Sequence, residues 1–196
     1  MSSFKKASST MMILIGIALM YVFTAFTTFI KFNAAEEDLQ EIYEWSLGTL
    51  SSTDWASVVP MVAMSVVIIL AMVVLANKIN IIGSGDKEAM SLGESPVRVR
   101  IVCFVLISIA TAVAVCYTGT IGFVGLVAPH IARLFVGSNN KILIPASAII
   151  GGLMVVGSDC LVRLLPAVLP VGVVTALIGS PLFLYFLFKQ RKKSVW

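Results

Sequence analysis

From Ala56 to Ala76 the chain runs through twenty-one residues without a charge. A stretch of that length matches the roughly 20 apolar residues that carry a helix across a hydrocarbon layer about 30 Å thick. Lipid offers no partners to backbone amides and carbonyls, so such a segment must pair them internally, and a helix does. The run Met11 to Ile30 repeats the pattern over twenty residues. Although Lys5 and Lys6 precede it, it exceeds the apolar core of a secretory leader, which is about 7 to 15 residues and ends at a small-residue cleavage site. With 59% hydrophobic and only 12% charged residues over 196 positions, the whole chain reads as an all-α integral membrane protein rather than a soluble domain.

The remaining spans follow from length and from glycine and proline. Ile101 to Ala132, uncharged apart from His130, would be about 48 Å long as one helix and must turn back. Gly119, Gly122, Gly125 and Pro129 mark the reversal. Six transmembrane helices are predicted, at about 11–30, 56–76, 99–118, 120–136, 142–160 and 171–188, in a single domain over 1–196 with a polar loop at 77–98. Pro166, Pro170, Gly172, Gly179 and Pro181 predict an irregular first half for the last of them, tolerated only where backbone packs in protein or lines a cavity. Between the first two spans, Glu36 to Glu44 with Leu39, Ile42 and Tyr43 at helical spacing predict a short amphipathic interfacial helix, with Trp45 and Trp55 at headgroup level. An N-terminus in the cytoplasm leaves only Lys31 and Arg163, of the fourteen basic residues, on the outer side. The positive-inside rule therefore puts both termini in the cytoplasm of a multi-pass protein of the cytoplasmic (inner) membrane.

No enzyme site emerges. His130 is the single histidine, the three cysteines (Cys103, Cys116, Cys160) form no CxxC pair, and there is no P-loop, so a nucleotide used as fuel must be hydrolysed by a partner. No metal, cofactor or nucleic acid is expected to bind this chain. Three stretches stand out. The first is NKINIIGSGDKEAMSLGESPVRVR, where Asp86 and Glu88 open a helix of about two turns, Gly93 stops it and Pro96 prevents its continuation. In the second, GTIGFVGLVAPHIARLFVG, the three-residue glycine spacing predicts a small face for a helix contact, and His130 reads as a hydrogen-bonded structural residue. Finally, Asp159 and Arg163 form an i, i+4 pair at an outer end, either a local ion pair or a docking point for an external carboxylate.

Taken in order, GTIGFVGLVAPHIARLFVG, LIPASAIIGGLMVVGSDCLVR and LPVGVVTALIGSPLFLYFL closely resemble the FecCD-type permeases of ABC importers for iron-siderophores, haem and cobalamin. The likeness extends upstream through NIIGSGDKEAMSLG and WSLGTLSSTDW to MILIGIALMYVFTAFTTFIKF, which covers nearly the whole chain. It implies the C-terminal part of the permease fold of the cobalamin-uptake type, the fifth to tenth of ten helices, and therefore a truncated form, a split-gene half, a degraded gene or a mis-called start, beginning at a Met before the fifth. The implied partners are a cytoplasmic ABC ATPase dimer that holds the ATP, an external substrate-binding protein, a second permease copy and a polypeptide carrying the missing N-terminal spans. Residue by residue, Gly85, Asp86, Lys87, Glu88, Ala89, Met90, Ser91, Leu92 and Gly93 resemble the family's ATPase-coupling helix. Arg163 falls at a binding-protein docking position. Leu169 stands where the family often has an acidic residue before the Pro-Val-Gly turn. Thr24, Thr27 and Thr28 are the few polar groups of the first span and the candidate lining of a translocation path. The expected function is a permease component of an ATP-driven importer for a metal chelate; the competing expectation is a membrane interaction or assembly protein without transport of its own.

Overall fold

A computed structural model describes residues 9–50, 54–164 and 169–193. Lys5, Lys6 and Pro166 lie outside them. The described chain is helical: α1 (Ser9–Asn33), α2 (Glu36–Leu47), α3 (Trp55–Gly83), α4 (Asp86–Ser91), α5 (Pro96–Thr118), α6 (Val124–Val136), α7 (Asn140–Leu164) and α8 (Val171–Lys193). Among the described residues, α1, α3, α5, α7 and α8 are long and apolar enough to cross a membrane. The thirteen-residue α6 is apolar but only about 20 Å long at ~1.5 Å per residue.

Two compact units divide at Tyr43 and Glu44. The first holds α1 and the start of α2. Among the described side chains of α1 only Lys31 is part-buried, its ammonium lying 4.5 Å from the Tyr43 ring centroid. Three acidic residues, Glu36, Glu37 and Asp38, fill the first turn of α2, where the positive end of the helix dipole favours them.

In the second unit α6 packs most extensively on α7, α3 on α5 and α7, and α8 on α6 and α7. Small residues carry these contacts. Ala128, Ala132 and Val127 of α6 are buried, and a side chain at Gly151 of α7 would already touch Val124 and Ala128. Close backbone approach of this kind is how helices associate in lipid, where apolar surface alone gives no drive.

The structure departs from expectation in three places. First, α3 continues seven residues past Ala76 to Gly83, because no breaker interrupts it before the Gly83-Ser84-Gly85 run. Second, α6 starts at Val124 rather than near Thr120, since Phe123 takes a left-handed conformation (φ 65°) that ends the turn. The glycines at 119, 122 and 125 consequently form no shared helix face: Gly119 closes α5 and approaches Trp45, whereas Gly122 and Gly125 face open space. Third, from Val171 the last segment is regular helix through Gly179 and Pro181. Gly179 is needed for packing there, since a Cβ would lie 2.5 Å from that of Phe123.

Candidate functional site

One end of the second unit gathers charge. Here the 77–98 loop is a short helix held between two long ones. Gly85 precedes α4 at φ 133°, ψ 151°, a region open essentially to glycine. At its other end the Glu94 N–H donates to the Ala89 carbonyl (3.0 Å) and the Gly93 N–H to that of Met90 (3.1 Å), with Gly93 at φ 80°. This is a Schellman closure, which satisfies the last carbonyls of so short a helix. Two ion pairs tie the loop to its neighbours. Arg100 of α5 grips Asp86 with both terminal nitrogens, at 2.7 and 3.1 Å, and Lys78 of α3 meets Glu94 at 3.1 Å. Ala89 is completely buried, while Met90 and Leu92 stand 59% and 68% exposed. The result is a rigid knuckle that presents two apolar side chains to solvent.

Beside it, α3 is tied to the turn before α7. The Asn80 amide donates to Asn139 Oδ1 (3.0 Å), and its own oxygen accepts from the Asn140 N–H (3.0 Å) and Nδ2 (2.7 Å). Asn139 Oδ1 also accepts the Lys141 N–H at 3.1 Å, so one side chain both caps α7 and joins the cluster. Sequence reasoning missed this clamp because its partners lie sixty residues apart; the Asn-Asn pair before an apolar run was its one local signal.

At the opposite end three chain segments meet through glycine. The Gly172 N–H donates to the Gly48 carbonyl (3.2 Å), and the Thr49 N–H to that of Thr118 (2.9 Å). Thr120 Oγ1 donates to the Ser46 carbonyl. A Cβ at Gly119 would lie 1.9 Å from the Trp45 carbonyl oxygen, and one at Gly172 2.0 Å from that of Leu47. Buried Thr175 returns its hydroxyl to the Gly172 carbonyl at 2.9 Å. Arg163, at the last turn of α7, bonds Asp159 through Nε at 2.8 Å while its side chain stays 68% exposed. The ion pair expected there is present, made through Nε.

His130 is placed by packing. Nδ1 donates to the Leu126 carbonyl at 2.8 Å, which fixes the ring tautomer, and the ring stacks on Phe186 and meets Phe183 edge-on. In α1 the three threonines donate back to their own helix: Thr24 to Met20, Thr27 to Phe23 and Thr28 to Thr24, at 2.8 to 2.9 Å. Among the described residues no cluster of His, Cys, Asp and Glu could hold a metal ion. Among the described residues the hydrogen bonds and ion pairs given above join helices to one another and to their own turns.

Comparison with known proteins identifies the family. The FecCD transport family matches residues 1–189. The chain is 36% identical over 187 residues to the cobalamin import system permease protein BtuC of Halobacterium salinarum, covering 94% of this chain and 50% of that protein. It is 32% identical over 186 residues to the hemin transport system permease protein HmuU of Yersinia pestis, covering 93% and 55%. A solved inward-facing structure, described as a metal-chelate type ABC transporter, superposes with a TM-score of 0.87 at 31% identity, over 95% of this chain and 61% of the other. The chain spans about half the length of the curated relatives it matches.

Proposed function

The chain belongs to the FecCD transport family, and on that premise we propose that it forms part of the permease of an ATP-driven importer for an iron-siderophore, haem or cobalamin-type chelate. Residues 85–93 seat in a cytoplasmic ATPase, Arg163 docks an external binding protein, and α1 carries the path-lining Thr24, Thr27 and Thr28. The charged end of the second unit then faces the cytoplasm, as its excess of Lys and Arg favours. ATP is bound and hydrolysed by the partner. Remaining family spans and a second permease copy complete the pathway.

The observation that carries this reading is the knuckle itself. An isolated helix of six residues would not persist in water, yet α4 is closed at its C-terminus, paired to α5 through Asp86, and followed by Glu94, which pairs with α3. Force applied at Met90 and Leu92 therefore reaches two spanning helices without being lost in a slack loop. Arg163 suits its role because Asp159 holds the guanidinium by one edge and leaves a fork of donors for an incoming carboxylate.

The test is ATPase stimulation in the complex reconstituted with the ATPase and the remaining family spans. Replacing Met90 and Leu92 by Ala together should abolish stimulation while the complex still assembles; undiminished stimulation refutes the assignment. Arg163→Glu should weaken capture of the binding protein by about tenfold or more, because a like charge replaces an attractive one at the contact.

A further inference from the structure

A groove of about 410 Å³ opens between α3 and α5 beside the knuckle. Its lining is ordered by depth. Val74 and Leu75 of α3 and Val99 and Val102 of α5 form the apolar part, with Lys78 and Arg98 among the polar residues. Each cation lies one helical turn from a valine on its own helix, Val74 to Lys78 and Arg98 to Val102, so the two helices pass from apolar to basic at the same level. That level is a membrane–water boundary: α3 is uncharged from Ala56 to Ala76, and α5 is uncharged from Ile101 onward.

Charge in the groove is not balanced. Glu94 is spent on Lys78 at 3.1 Å, and among the described residues Arg98 has no carboxylate partner. The Ser95 hydroxyl makes no capping bond and stands beside it as a further donor. One net positive charge thus overlies apolar side chains in a cleft within the ~300–1,000 Å³ range of small-molecule sites.

We propose that this groove binds one anionic phospholipid, with its phosphate on Arg98 and Ser95 and its acyl chains on exposed Val74 and Val102. The occupant is set by the order of the lining. A soluble anion would use the cation and leave Val74 and Val102 uncovered, whereas a phospholipid matches both levels at once. The inference is independent of transport.

The experiment is native mass spectrometry of the full purified chain, delipidated and titrated in mixed micelles with phosphatidylglycerol or phosphatidylcholine. Wild type should retain phosphatidylglycerol about five-fold better, as expected for one cation near an anionic surface. Arg98→Gln should bring the two lipids to parity. Glu94→Gln should raise the preference further, in a direction that misfolding cannot imitate. Lys87→Gln, in α4 and outside the groove, should leave it unchanged. Retained preference in Arg98→Gln, or an equal loss in Lys87→Gln, would overturn the site in favour of diffuse attraction. If wild type shows no preference and Arg98→Gln instead weakens capture of the ATPase, the cation serves a protein contact and the lipid site is wrong.

Discussion

Replacing Gly172 by Ala tests whether the three-segment knot is as tight as its geometry states. The added Cβ would sit 2.0 Å from the Leu47 carbonyl oxygen and 2.8 Å from that of Thr120, both backbone atoms. Ordinary contact begins near 3.4 Å, so the segments must part by about 1.4 Å. That movement breaks the Gly172 to Gly48 and Thr120 to Ser46 bonds, at about 1 kcal/mol each, and disturbs the packing around buried Val171 and Val174 by at least about 1 kcal/mol. The sum is about 3 kcal/mol, a fall in unfolding midpoint of roughly 6–12 °C for a chain of this size. Gly93→Ala is the control: it sits at φ 80° with nothing within 4 Å, so only the left-handed backbone cost applies, about 1 kcal/mol, or roughly 2–4 °C. The assay is thermal unfolding in detergent followed by dye capture at half-buried Cys103, with the exposed Cys116 and Cys160 changed to Ser. Equal shifts in the two variants, or a Gly172→Ala midpoint within about 2 °C of the parent, would refute the reasoning.

Other expected outcomes follow from the same contacts. Arg100→Ala should cost under about 1 kcal/mol of stability, because the pair with Asp86 is half exposed, yet lower ATPase stimulation in the assembled complex; unaltered stimulation would show that the knuckle needs no tether to α5. Asn80→Ala should cost about 3 kcal/mol from three lost bonds, and Asn140→Ala should add little to it; full additivity of the unfolding midpoints would contradict a shared cluster. Asp54 caps α3, accepting from the Ser57 hydroxyl and N–H, and these bonds hold its carboxyl below the ordinary value of 3.8. Its stabilisation is therefore complete above that value and lost as pH falls through the depressed one. Asp54→Asn keeps the cap and should flatten that acid-side decline in a pH series of midpoints.

Uncharged runs and helix punctuation made most of the architecture legible in advance. Charge-free lengths located the five long helices, and Asp86, Glu88, Gly93 and Pro96 located the knuckle. What escaped was tertiary. Nothing local in Gly48, Gly119 and Gly172 says that they meet, since each is an unremarkable glycine until another segment's carbonyl arrives beside it. The start of α6 was misplaced because a phenylalanine in left-handed conformation opposes its own propensity and is held there by contact with Gly179. For the loop the signals agreed, since capping residues and charges favour the same short helix that the flanking ion pairs then secure.

The back-bonded threonines of α1 have a chemical consequence. A hydroxyl has one proton to give, and in Thr24, Thr27 and Thr28 that proton is committed to a carbonyl of the same helix. What they turn outward is lone pairs and methyl groups. A molecule moving along this stripe would meet acceptors at the threonines, its donors being the Tyr21 hydroxyl and the Lys31 ammonium, which lie at helical spacing from them. If α1 lines the path as proposed, the three threonines would give an anionic chelate no donor, and the grip on such a cargo would fall to Lys31 at the end of the helix or to residues elsewhere.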